Sequence, residues 1–324
     1  MDDLLRHVIQ ETLKSKTYVS STKGNNHEIF GAILTLTNPR ARLSSTITKG
    51  TIYSCLGELL WYLNSSNSLE FIKYYIDSYE NYSDDGNHLY GAYGPRIFGN
   101  NKNNQYNNII KLLKKKPSTR QAVIQIFDKE DLAPLANDLP LTKDLPCTCN
   151  LQFFIREGKL DMIVTMRSND VFIGMPHDIF TFTMIQEITA QTLGIELGIY
   201  KHLVSSLHIY EKDLDKTKQY LDEGWQPTND QMPPMPKGDP FVTIEEVLDI
   251  EKEIRLNGNL NAKQSNIEDY WKDIIILLKI FRLHKEKAKT EKIEQLKTKI
   301  INQVYLNYIN KIIEKTDINE GLKT

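Results

Sequence analysis

Arg167-Ser168-Asn169-Asp170-Val171-Phe172-Ile173-Gly174-Met175-Pro176-His177-Asp178-Ile179 lies where one kind of periodicity gives way to another. On its N-terminal side, residues 151–155 and 160–166 are β-rich runs joined by Arg156-Glu157-Gly158-Lys159, which predicts a β-hairpin over 150–166. On its C-terminal side, Gly174 and Pro176 interrupt the chain before a long amphipathic helix expected from about 178 to 193 and ended by Gly194. Residues 202–210 read as a further strand. Strand, strand, helix, strand in this order gives a mixed core, so the fold class is α+β rather than a regular βαβ alternation.

Working outward, residues 29–36 (Ile29, Phe30, Ile33, Leu34, Leu36) read as a strand, and 51–63 as an apolar helix ending at Asn64-Ser65-Ser66, with Glu58 inside it. A turn follows at 83–87, then the loop Tyr93-Gly94-Pro95-Arg96 and an Asn-rich loop over 100–108. Residues 108–116 predict a basic helix stopped by Pro117, and 122–127 a strand. The run Met232-Pro233-Pro234-Met235-Pro236 marks an extended crossing, and helical periodicity from 270 to 313 reads as an appended helical hairpin. The expected division is a catalytic domain over 1–230 and a Pro-rich crossing with a helical extension over 231–324.

The chain has 324 residues, 40% hydrophobic and 25% charged, with 16 Gly and 12 Pro, a composition that excludes collagen-like, disordered and low-complexity classes. A net charge of −2 encodes no global attraction to nucleic acid or anionic membrane, so any phosphate is bound locally. Three cysteines make no disulfide framework and point to a reducing compartment, with the cytoplasm as the expectation. Residues 1–13 lack a signal-peptide hydrophobic region, and the apolar stretch 274–278 is far below the roughly 20 residues that span a bilayer.

Pro146-Cys147-Thr148-Cys149 has neither a second Cys pair nor a spaced His pair, so no metal is expected. Cysteines at i and i+2 of an extended segment point to opposite faces, which disfavours a disulfide between them. Alone, Cys147 reads as a small buried hydrophobe or as a nucleophile. Its surroundings favour the second. Pro146-Cys147-Thr148-Cys149-Asn150-Leu151-Gln152-Phe153, then the opening block twenty residues after Cys147, then His208-Ile209-Tyr210 resemble, in this order, thymidylate synthase and its relatives the pyrimidine-nucleotide hydroxymethylases. Glu58-Leu59-Leu60-Trp61, Tyr93-Gly94 and Thr119-Arg120-Gln121 support the resemblance, which covers about residues 15–215.

The resemblance implies a thymidylate synthase fold and a homodimer with shared active sites. It also implies a pyrimidine nucleoside monophosphate substrate and 5,10-methylenetetrahydrofolate as cofactor. Cys147 would add to C6 of the ring, making C5 a carbon nucleophile toward the one-carbon unit. The exocyclic methylene left after loss of the C5 proton and of tetrahydrofolate is quenched by hydride in thymidylate synthase and by water in the hydroxymethylases. Glu58 and Tyr93 belong to the catalytic set, Glu58 ordering water and protons at the ring; otherwise Glu58 is a solvated face residue. Arg167 would lower the pKa of Cys147 and, with Ser168, hold the phosphate, its plainer alternative being a surface ion pair. Arg120 matches the arginine that reaches into the partner's phosphate site. Gln121 replaces the family's second arginine, and Lys23 in Ser20-Ser21-Thr22-Lys23 stands in for another. Asp170 joins the substrate and cofactor sets. His208 and Tyr210 share a strand face and imply ribose contacts, or else a core pair. Tyr79, Tyr82, Ile173, Gly174 and His177 complete the implied cofactor site.

At position 178 thymidylate synthase carries an asparagine that pairs with uracil; this chain has Asp178, as the deoxycytidylate hydroxymethylases do. As a helix N-cap, Asp and Asn are equivalent. Toward a base they differ. Uracil presents an N3–H donor and an O4 acceptor, which an amide matches, whereas cytosine presents an N3 acceptor and an N4 donor, which a protonated carboxyl matches. Mispairing buried polar groups costs about 1–3 kcal/mol each, so the aspartate favours cytosine by up to several hundredfold. The expected substrate is dCMP or CMP. Tyrosines at 79 and 82, where thymidylate synthase has a tryptophan that shields the intermediate, favour water over hydride. So does the segment 320–324, which lacks the family's small apolar closing residues. The alternatives are a thymidylate synthase acting on dUMP, against which Asp178 argues, and a catalytically idle nucleotide- or RNA-binding regulator, against which Cys147, Glu58, Arg167 and the neutral charge argue.

Overall fold

The computed structural model describes residues 1–21, 23–99, 104–133, 143–228, 230–262 and 267–321, the side chains of 317–321 excepted. Part of the Asn-rich loop, Thr22 and residues 322–324 lie outside the described residues. The first expectation holds: the molecule is α+β, with helices packed on a mixed sheet of six strands among the described residues. These are β1 (Tyr18–Ser21), β2 (Gly24–Leu36), β3 (Val123–Gln125), β4 (Thr148–Arg156), β5 (Lys159–Asp170) and β6 (Glu196–Tyr210). Their order is β1-β2-β6-β5-β4-β3, antiparallel throughout except for β5 and β6.

That parallel pair requires a crossover, and the long helix supplies it. Helix α6, by our numbering, runs Gly174–Leu193 and ends at Gly194, whose φ of 67° satisfies the left-handed C-terminal position. Its start corrects the sequence expectation by a full turn. Gly174 and Pro176 open the helix rather than precede it, because a first-turn proline lacks only an N–H that has no helical partner. Asp178 is therefore inside the helix, not its N-cap. Nor is the helix amphipathic: lying between the sheet and other helices, it buries Met175, Ile179, Phe180, Phe182, Met184 and Ile185 around most of its circumference. The β4–β5 hairpin turns on Glu157 and Gly158, with φ of 51° and 73°, the two positive values of a type I′ turn.

Helices α1 (Asp2–Lys14), α2 (Ile52–Leu63), α3 (Leu69–Tyr75), α4 (Tyr93–Phe98) and α5 (Gln105–Lys115) come before the hairpin. Almost every residue of α2 is buried, Glu58 included at 5% exposure. Helix α7 (Leu214–Asp222) follows β6. The Pro-rich crossing is tied to the core by Glu187 of α6. Its carboxylate accepts from the Met235 N–H at 3.1 Å, from Arg40 Nε at 2.7 Å and from buried Arg42.

Beyond the crossing, α8 (Phe241–Asn257), α9 (Asp269–Lys285), α10 (Thr290–Lys297) and α11 (Leu306–Gly321) replace the expected hairpin. The period was legible, but the breaks at 286–289 and 298–305 were not. Phe281 stacks on Tyr53 of α2 and Tyr75 of α3 at 5.6 and 5.3 Å, and Tyr75 donates to Glu251 of α8 at 2.8 Å. The extension thus shares one hydrophobic cluster with the preceding part of the chain.

Candidate active site

The register of β5 against β6 assembles the site. Ser168 pairs with Ser206 and Asp170 with His208, so the opening block and the His208-Ile209-Tyr210 run lie side by side. The rings of His208 and Tyr210 meet edge to face at 4.8 Å, as their shared strand face requires. Across β5, the Arg167 N–H donates to the Cys147 carbonyl at 2.9 Å, which brings Cys147 to the same end of the sheet.

Cys147 is half-buried, just before β4. Its backbone N–H and that of Thr148 both donate to the Tyr93 hydroxyl at 3.2 Å. The Arg167 guanidinium donates from Nε to the Pro146 carbonyl at 2.9 Å and from Nη2 to the Leu145 carbonyl at 3.2 Å, so it clamps the segment that carries the thiol. The expectation that Arg167 would leave Cys147 with a lowered pKa is corrected. Burial pushes the thiol up, and Arg167 and Lys23 only partly offset it, while the Asp178 and Asp144 charges add to the rise. Burial costs the thiolate more hydration than one neighbouring cation restores.

Glu58 faces this region from α2. Burial raises its pKa to about 7, against a lowering by the hydrogen bond that Tyr79 donates to Oε1. Oε2 is buried without a partner among the described residues. The Tyr79 ring packs edge-on to Trp61 at 5.6 Å and to Tyr82 at 6.2 Å, and Lys23 Nζ lies 4.4 Å from the Tyr82 ring centre. Asp178 comes next. Burial, and then the Glu58 charge, push its carboxyl well above the ordinary range, and Asn169 opposes this by donating from Nδ2 to Oδ2 at 2.7 Å.

Asp170 Oδ1 accepts from the Phe172 and Ile173 N–H groups at 2.7 and 3.0 Å, fixing the turn into α6 and leaving Ile173 47% exposed. A Cβ at Gly174 would stand 3.1 Å from Asn169 Nδ2 and press on the amide that holds Asp178. His177 is held at both nitrogens, Nδ1 by the Ile173 carbonyl at 3.1 Å and Nε2 by Ser54 Oγ at 2.9 Å. Burial lowers its pKa to about 4, so it is neutral and offers a ligand only its ring. Arg120 is not brought to this group. It is exposed beyond β3, with its carbonyl accepting from Gln152 at 2.8 Å.

Sequence reasoning passed over Lys49, Asn169, Tyr200 and His202. Lys49 is buried, with Nζ 3.6 Å from the Phe172 ring centre, and desolvation lowers its pKa to about 8 against the pull of Asp170 and Asp213. A lysine between Thr48 and Gly50 in a loop gives no signal of burial; only the fold does.

A thiol, a buried carboxyl with a free oxygen and a second carboxyl that resists ionisation, close enough to perturb one another and with Arg167 and Lys23 acting on the thiol, form a group suited to covalent addition to a small polarised ring. The chain belongs to the thymidylate synthase family, a family of one-carbon transferases that use methylenetetrahydrofolate: the thymidylate synthase family model matches residues 2–277. It is 34% identical over 186 residues to a deoxyuridylate hydroxymethyltransferase of Pseudomonas phage M6, over 56% of this chain and 51% of that one. A protein of the same description from Delftia phage PhiW-14 is 34% identical over 194 residues, 57% and 54% of the two chains. The chain thus spans about half the length of both phage relatives. A thymidylate synthase of Bacillus mojavensis is 24% identical over 231 residues, 67% of this chain and 80% of that one. Among the described residues no helix is long and apolar enough to cross a membrane.

Proposed function

We propose that this protein is a pyrimidine nucleotide 5-hydroxymethyltransferase that converts dCMP or CMP to its 5-hydroxymethyl derivative with methylenetetrahydrofolate and water. The observation that carries the cytosine assignment is Asp178, a carboxyl held above its ordinary pKa, with Asn169 on Oδ2 and no hydrogen bond on Oδ1 among the described residues. Its protonated form offers cytosine a donor for N3 and an acceptor for the N4 amino group. The phage relatives named as hydroxymethyltransferases support water as the final acceptor, as do Tyr79 and Tyr82. Those names also favour a second reading, in which the base is uracil. Against it, with Oδ2, the oxygen that accepts from Asn169, on the side of the 4-position of the base, O4 would meet an acceptor.

In this reading the Cys147 sulfur adds to C6, and electron density moves to C5. Arg167 and Lys23 stabilise the thiolate against the desolvation that opposes it, and Arg167 with Ser168 binds the phosphate. Tyr93 fixes the backbone that carries the sulfur. Glu58, with Oε1 occupied by Tyr79, uses Oε2 to hold a water and move a proton at the ring. His208 and Tyr210 contact the ribose. The exposed Ile173, the Tyr79 and Tyr82 rings, the Asp170 carboxylate, Gly174 and the ring of His177 fit the flat, partly polar folate. When bound, methylenetetrahydrofolate supplies a carbon at the oxidation level of formaldehyde. Exposed Phe30 (84%) and Ile33 (69%) on β2, and an exposed Arg120, support a homodimer in which Arg120 completes the partner's phosphate site.

Replacing Asp178 by Asn tests the assignment. The ratio of kcat/KM for dCMP over dUMP is expected to fall by about 100-fold or more; an unchanged ratio overturns it.

A further inference from the structure

Behind Asp178 stands a line of buried polar groups that none of the expected roles uses. Asn169 (4% exposed), His202 and Tyr200 are buried where β5 and β6 meet α6. The contacts run Asp178 Oδ2 to Asn169 Nδ2 at 2.7 Å, Asn169 Oδ1 to His202 Nε2 at 2.9 Å, and His202 Nδ1 to the Tyr200 hydroxyl at 2.8 Å.

Such a line has two self-consistent directions. A neutral imidazole carries one N–H, so His202 donates at one nitrogen and accepts at the other. Its pKa, lowered to about 3 by burial, keeps it neutral. In one direction Tyr200 donates to His202, His202 to Asn169 and Asn169 to Asp178. In the other, the Asn169 amide is turned over so that its oxygen accepts from the Asp178 Oδ2–H and its NH2 donates to His202 Nε2, and His202 Nδ1–H donates to Tyr200, which only accepts. The second direction strands the Tyr200 hydroxyl hydrogen, because its hydroxyl has no hydrogen bond other than that to His202 among the described residues. A stranded buried donor carries a desolvation penalty, so the end of the line sets its sense.

With that sense fixed, Oδ2 always accepts and the acid proton of Asp178 sits on Oδ1. A carbonyl oxygen has two lone pairs, so Oδ2 takes a second hydrogen bond from a base amino group while Oδ1–H donates to a ring nitrogen. Set with Oδ2 toward the exocyclic 4-position of the base, that pattern is complementary to cytosine, whereas the O4 of uracil would meet an acceptor there. We propose that Tyr200, His202 and Asn169 are positioning residues that orient the proton of Asp178 and so set the choice of cytosine over uracil, an inference that rests on the cytosine reading above.

Two measurements on the full-length chain test it. Nitrogen-15 NMR of His202 without substrate is expected to show the neutral form protonated at Nε2 and bare at Nδ1; protonation at Nδ1 overturns the proposal whichever base is the substrate. In Tyr200→Phe, which keeps the ring and removes the terminal donor, the kcat/KM ratio of dCMP over dUMP is expected to fall by about tenfold. The change should lie mainly in a raised KM for dCMP. An unchanged ratio with wild-type preference for dCMP overturns the positioning role and leaves the cytosine reading standing. Wild-type preference for dUMP overturns the cytosine reading and the selectivity role with it.

Discussion

In the proposed mechanism Glu58 sets a pH dependence. Its pKa is raised to about 7 chiefly by burial, so it is neutral below that pH and ionised above it. The pH profile of kcat/KM is expected to carry a limb near 7. Tyr79 lowers this pKa by donating to the carboxylate. Tyr79→Phe should therefore move the limb to higher pH; a limb that stays or moves down contradicts the assigned pair. Individual residues were unevenly legible in the sequence. Cys147, Glu58 and Asp178 could be named because each stands in a distinctive run, whereas Asn169, Tyr200 and His202 could not, because alternating polar residues in a strand look the same whether they meet solvent or one another. The direction of the Cys147 shift was missed for a related reason: the neighbouring cation is visible in sequence and the depth of burial is not.

Among the elements, the β4–β5 hairpin, α2 and the strand over 202–210 were legible from period and turn chemistry. The start of α6 was not, since Gly174 and Pro176 serve equally as breakers or as first-turn residues. What the sequence withheld was register. The parallel pairing that sets Asp170 beside His208 depends on a crossover of more than twenty residues. Helix α4 shows how closely elements approach around the site: a Cβ on Gly94 would stand 2.7 Å from the Tyr62 carbonyl and 3.2 Å from that of Trp61, at the end of α2. Gly94→Ala is expected to destabilise the protein by about 1–3 kcal/mol by thermal or urea unfolding. Because Tyr93 is its neighbour, activity should fall more than the loss of folded protein explains. A variant as stable and active as the wild type would show that α4 is free to shift.

For the whole molecule, the proposed covalent site gathers at one end of a mixed sheet, and the helical extension shares the core of that sheet. The extension packs on α2 and α3, the elements that carry or flank Glu58. Near-neutral charge suits the proposed mononucleotide substrate, which needs a few placed cations, for which Arg167 and Lys23 are proposed, rather than a basic face. The measurement that bears most directly on the central claim is mass spectrometry of the product formed with methylenetetrahydrofolate in oxygen-18 water, using dCMP, CMP and dUMP in turn. The account predicts a hydroxymethyl group on a cytosine nucleotide with its oxygen drawn from the labelled water. A methyl group on dUMP with release of dihydrofolate, and no product from either cytosine nucleotide, would contradict it.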